Sequence, residues 1–147
     1  MLEQISLRLS EKDKAKKELV YQKLKERYRG YRDPWGFNLG TTHKAIDVLY
    51  PLYRKYFKVR VFGQENIKNE PYMVVSNHTG QIPIDGALIT LAMAFETAPP
   101  RILHSMIERF MAKFPFLGDI SAQTGAVLGD RANCKWLLDK GESILVF

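Results

Sequence analysis

A histidine and an aspartate, His78 and Asp85, stand seven positions apart in the stretch Val74–Gly86, "VVSNHTGQIPIDG". Histidine takes up and releases a proton near neutral pH. A carboxylate bonded to one ring nitrogen fixes the tautomer and makes the other nitrogen a better base. The six residues between the pair leave enough chain to fold back so that the two side chains meet. Gly80 and Pro83 shape that loop, and Thr79, Gly80 and Gln81 can offer backbone N–H groups to an anion or an oxyanion. No nucleophile of the usual kind is close. Ser76 points to the other face of a strand, and Cys134, on an amphipathic helix, is expected to be buried. A base without a protein nucleophile suits a reaction in which the substrate supplies one: a hydroxyl, deprotonated by His78, attacking an activated acyl group. Spacing alone leaves another reading open, because a histidine at a strand end is more often structural and an aspartate at a helix start more often a cap.

The pair needs elements to hold it. The run "YMVVSN" predicts a strand buried on both faces, as in a parallel sheet, and "DGALITLAMAF" predicts a buried helix after it. Functional groups in open α/β sheets gather beyond the carboxyl ends of strands, which is where Asn77 and His78 stand in this reading. Upstream, Ser10–Tyr28 reads as a helix capped by Ser10, with Ala15, Leu19, Leu24 and Tyr28 as its apolar stripe. The turn "YRDPWGFN" carries Tyr31, Trp35 and Phe37 as packing anchors. Thr42–Tyr56 reads as a second helix, kinked or divided at Pro51, and "KVRVFG" as a half-buried strand. Downstream, strands in "PPRILHSM", "AVLGDR" and "ESILVF" alternate with helices in "IERFMAKFPFLGDISAQTG" and "RANCKWLLDKG". The order predicts an α/β fold, a mostly parallel central sheet flanked by helices, with an N-terminal helical segment. No loop follows the last strand, so the domain is expected to be incomplete at the C-terminus.

Composition narrows the classes. The chain of 147 residues is 46% hydrophobic and 26% charged, as in a globular domain. The single cysteine excludes an intramolecular disulfide framework and a cysteine-cluster metal site, and fits a reducing compartment. The charged N-terminus lacks the apolar run of a secretory signal. The stretch Ala87–Phe95 is far short of the roughly 20 apolar residues of a membrane span. A cytoplasmic chain, at most peripheral to a membrane, is expected. Net charge is +6, and residues 1–32 hold ten basic against five acidic side chains. Such a segment suits an anionic surface, above all phospholipid headgroups, although a solvated mixed-charge helix face would look the same. Nucleic acid is not an expected partner: Tyr28, Tyr31 and Trp35 lie among basic residues but form no recognisable module.

The motif "NHTGQIPIDG" resembles the first motif of the lysophospholipid and glycerolipid acyltransferase superfamily, an Asn-His followed by an Asp. "GAVLGDR", Gly125–Arg131, resembles the second, a glycine and an arginine six positions on, and "LLDKGESILVF" resembles the segment leading into the third. "DPWGFN" and "FPFLG" are similar to the bacterial branch related to monoacylglycerol acyltransferases. The resemblance runs from Asp33 to Phe147 and divides the chain into a basic helical segment, 1–32, and the N-terminal part of an acyltransferase domain, 33–147. It implies acyl transfer from acyl-CoA or acyl-carrier protein, as co-substrate rather than bound cofactor, to a glycerol-type hydroxyl of a lipid acceptor. It makes His78 the general base and Asp85 its orienting partner. It assigns Asn77, Thr79, Gly80, Gly125 and Arg131 to substrate binding, Arg131 through the acceptor's phosphate. It implies no metal, because a thioester is attacked without one. The superfamily's common spacing has four residues between His and Asp; the six here match the branch. The third motif is absent, which implies that this chain by itself is inactive. The alternative is a lipid-binding module at the membrane surface without catalysis. An acyltransferase class with paired histidines before Asp-Gly is echoed only by Asp85-Gly86.

Overall fold

The computed structural model describes residues 7–78 and 84–147. Ser10 opens helix α1, Glu11–Arg27, its Oγ accepting from the Asp13 N–H at 3.1 Å. The buried stripe of α1 is Val20, Leu24 and Tyr28, while Ala15 and Leu19, both expected inside, are exposed. Asn38 caps α2, Leu39–Pro51. Pro51 brings no N–H to the ladder, and the helix widens after it into a π-turn over Leu52–Tyr56, closed by Phe57 N–H on the Leu52 carbonyl at 2.9 Å.

Among the described residues four short strands follow: β1 Met73–Val75, β2 Leu103–Ile107, β3 Val127–Leu128 and β4 Ser143–Val146. All their pairings are parallel, in the order β1-β4-β2-β3. The connections are α3 Ile84–Glu96, the short pair α4 Arg109–Ala112 and α5 Leu117–Gln123, and α6 Arg131–Asp139. The expected α/β architecture with a parallel sheet is therefore the one observed. Register puts Val74 and Leu145 on one face, against Ile89 and Met93 of α3. The other face carries Ile144, Met106 and Val127 against Leu137 of α6. A third cluster joins α1, α2 and α3 through Leu24, Tyr50, Tyr53 and Phe95. Tyr31 and Phe37 pack on Tyr28, and Trp35 meets Trp136 edge-on, so the aromatic turn anchors the helical layer to the sheet as expected.

Three further expectations need correction. Lys58–Gly63 forms no strand: Lys58 has φ 48°, and Phe62 is 84% exposed. The alternation there reflects Val59 packing on the helical cluster, with no neighbouring strand to pair with. β1 is not buried on both faces. It lies at the sheet's edge, and Met73 and Val75 stay 55% and 73% exposed because α6 covers only the strands beyond it. Cys134 is half-buried, not buried, with Sγ against Met106.

Candidate active site

Because the strands run parallel, their carboxyl ends share one edge. Ser76–His78 leave β1 there, Phe147 leaves β4, Glu108 leaves β2, and Gly129–Arg131 leave β3. Ser76 N–H still bonds the Val146 carbonyl at 3.1 Å, so His78 begins two residues past the last rung of the sheet. Below it, buried Arg101 ties down the segment entering β1 through the Lys68 carbonyl at 2.6 Å and the Glu70 carbonyl.

Asp85 sits in the first turn of α3, where the helix dipole favours an acid. Its carboxylate faces His78: Nδ1 lies 3.0 Å from Oδ2 and 3.2 Å from Oδ1. Oδ1 also accepts from the Gly86 N–H at 2.8 Å, which fixes the carboxylate's orientation. This geometry places the proton of a neutral imidazole on Nδ1 and the lone pair on Nε2. The His78 side chain is 39% accessible, Asp85 20%, so the histidine meets solvent while its partner is half-shielded. Phe147 packs on the imidazole with ring centroids 4.5 Å apart. The approach depends on Gly86, where an added Cβ would come 3.2 Å from Phe147 Cζ. Sequence reasoning missed this contact; the small residue directly after Asp85 was its available signal.

Asn77 is exposed beside the pair. Thr79 and Gly80 lie outside the described residues. Arg131 is the first residue of α6, exposed at the same edge, and makes no ion pair among the described residues. It lines an open groove of about 570 Å³ floored by Met73, Met106, Cys134 and Val146. β3 is three strand spacings from β1, roughly 14 Å, a span that the arginine side chain and a glycerol phosphate together can cover. Gly125 is elsewhere. It precedes β3, buried, with φ 101°, and packs on His104, Ile102 and Phe37. The left-handed backbone is what requires glycine there. The structure thus brings His78 and Asp85 together, keeps Arg131 on their edge, and puts Gly125 against a second, buried histidine.

That histidine, His104 on β2, was not singled out. Its Nδ1 is 3.0 Å from the Gly125 carbonyl and its Nε2 3.5 Å from Glu142. Tyr28 donates to the same Glu142 at 3.1 Å and accepts from the Ile102 N–H. This network joins α1, β2, the turn before β3 and the residue before β4. A polar residue inside the apolar run "RILHSM" was the signal, since such a group requires a partner.

A family described as Acyltransferase matches residues 58–147, which take in both histidines, Asp85 and Arg131. Among curated proteins, the chain is 30% identical over 120 residues to the uncharacterized proteins Mb0514 of Mycobacterium bovis and Rv0502 of Mycobacterium tuberculosis, covering 78% of this chain and 33% of each relative. It is 29% identical over 117 residues to the uncharacterized protein ML2427 of Mycobacterium leprae, with 78% and 32% covered. The chain thus spans about a third of the length of the curated relatives it matches. No solved structure matches it. With the family match covering more than half of the residues, on a parallel α/β scaffold, the chain belongs to the Acyltransferase family.

Proposed function

We propose that this domain transfers an acyl group from a thioester, acyl-CoA or acyl-carrier protein, to a hydroxyl of a glycerol-type lipid acceptor at a membrane surface, on the cytoplasmic side. The observation that carries the reading is the bond from His78 Nδ1 to Asp85, at the carboxyl edge of the sheet and within the family's span. His78 Nε2 takes the acceptor's hydroxyl proton as the oxygen attacks the thioester carbonyl. A C–O bond forms and the C–S bond breaks. The proton passes from the imidazolium to the departing thiolate, so nothing is consumed but the two substrates. Asp85 stabilises the imidazolium formed on the way. Arg131, without an ion-pair partner among the described residues, is proposed as the ligand of an acceptor phosphate. Asn77, Thr79 and Gly80 are proposed to hold the reacting acyl group.

The test is thiol release from an acyl thioester, followed with and without monoacylglycerol or its phosphate, using the full encoded polypeptide. Acceptor-dependent release that falls by at least roughly 10³-fold in His78→Ala, with an unchanged melting curve, supports the reading. Lipid binding with no acceptor-dependent release would favour a non-catalytic lipid-binding role.

A further inference from the structure

A buried polar cluster lies at the sheet's amino edge, opposite His78, and takes no part in the candidate site. His104 stands near the amino end of β2 and Glu142 just before β4, 0% and 5% exposed. Their hydrogen bonds leave one position to fill. His104 Nδ1 lies 3.0 Å from the Gly125 carbonyl, which only accepts, so Nδ1 carries a hydrogen. Tyr28 Oη accepts from the Ile102 N–H at 3.1 Å, so its own hydrogen goes to Glu142 Oε2, also at 3.1 Å. Burial first, then the charge of Glu142, push the Tyr28 hydroxyl above its usual range and keep it a donor. That leaves His104 Nε2, 3.5 Å from the same Oε2 and with no hydrogen bond to any other group among the described residues. A neutral imidazole beside a carboxylate would set two lone pairs against each other, out of reach of water, which is costly in a core. One proton between them turns the repulsion into a charge-assisted bond.

The groups around the pair put the negative charge on Glu142. Arg27 of α1 lies over the Tyr28 ring at 5.8 Å, and buried Arg101, before β2, is within electrostatic reach of Glu142. Both cations favour a carboxylate there. Tyr31 packs on the imidazole with ring centroids 6.3 Å apart, and burial raises its hydroxyl too, so it brings no charge. Asp33 is engaged in its own turn, where Oδ1 accepts from the N–H groups of Trp35, Gly36 and Phe37. The proton therefore belongs on the imidazole. Four parts of the chain meet at it: α1 through Tyr28, β2 through His104, the turn before β3 through Gly125, and the entry to β4 through Glu142.

We propose that the folded chain holds one proton between His104 and Glu142, an imidazolium on a carboxylate, and that this proton is a pH-sensitive latch fastening α1 and the Gly125 turn to the sheet. Neither the latch nor its test depends on acyl transfer. The unfolded chain gives up the corresponding proton near the ordinary histidine value, about pH 6.5. The latch's stability is therefore fully present below about pH 6.5 and is lost as pH rises, the unfolding constant growing about tenfold per pH unit while the folded pair keeps its proton. Glu142→Gln discriminates. Its amide oxygen still accepts from Tyr28, and its N–H donates to a neutral Nε2, so the same bonds form without the extra proton. His43 and His78 are common to both chains and cancel in the comparison. In urea melts from about pH 6.5 to about pH 8.5, the parent should lose roughly tenfold or more in folding constant relative to the variant. In the parent, nitrogen-15 spectra at about pH 7.5 should show hydrogen on both ring nitrogens of one histidine, the one missing from the spectrum of His104→Gln. A parent-to-variant ratio that stays level across that range overturns the proposal. So does a bare Nε2 on His104 at about pH 7.5, a result read on the parent alone should Glu142→Gln fail to fold.

Discussion

At the scale of single residues, the site is a histidine whose surroundings are set by three neighbours. Asp85 holds Nδ1, Gly86 donates to that carboxylate, and Phe147 covers the ring. Gly86 links the last two, because a Cβ there meets Phe147 at 3.2 Å. Gly86→Ala should push the phenyl ring off the imidazole and lower the transfer rate by about tenfold. Stability should fall by less than about 1.5 kcal/mol, because Phe147 is 40% exposed and can give way. Steady-state kinetics beside a urea melt separates the two effects. The Asn77-His78 and Asp85 pair was legible in the sequence because a strand followed by a short loop and a helix has one physical way to fold back. The phenylalanine on His78 was not, because 69 residues separate the two positions and no local pattern encodes a contact between strands β1 and β4.

At the scale of elements, short strands are held by buried polar ties as much as by apolar packing. His104, Glu142 and Tyr28 join β2, β4 and α1, and all three are nearly free of solvent. His104→Leu removes the imidazole that faces the Glu142 carboxylate, leaving it the Tyr28 hydroxyl, and should cost about 1–2 kcal/mol in urea unfolding; adding Glu142→Leu should recover part of it. Non-additivity of that kind marks a coupled pair, whereas two independent packing losses would add. Element types were legible where periodicity was long and breakers clear: α1, α3, α6 and the alternation that gives a parallel sheet. They were not legible at Lys58–Gly63, where alternate residues face a helical cluster without a strand partner, nor at β1. "YMVVSN" has the composition of a central strand and occupies an edge. Hydrophobicity reports what a strand can bury, and the neighbours decide what it does bury.

At the scale of the whole molecule, the helical layer is fastened to its own turn by charge. Asp13 accepts from the Ser10 hydroxyl at 2.7 Å, from Arg54 at 3.0 Å and from Lys55 at 3.3 Å. The Ser10 bond first, then the two cations, outweigh burial and bring its carboxyl from 3.8 down to about 2. A carboxyl lowered on folding adds stability above its unfolded value, and that stability is lost as pH falls through the folded one. Asp13→Asn should therefore cost about 1–2 kcal/mol at neutral pH, and the gap from the parent should close between about pH 4 and pH 2 in chemical denaturation. The strand order β1-β4-β2-β3 was not legible, because a pattern of period two names a strand and not its neighbours. That order nonetheless shapes the candidate site, since it places Phe147 beside His78, while the parallel run of the strands keeps Arg131 on the same edge. The central claim, that His78 and Asp85 act as one base, is tested most directly by kcat/KM for acyl transfer in His78→Ala, Asp85→Asn and the double variant. The account predicts a loss of roughly 10²- to 10⁴-fold for Asp85→Asn and no further loss when it is added to His78→Ala. Retained transfer in His78→Ala, or losses that multiply in the double variant, would contradict it.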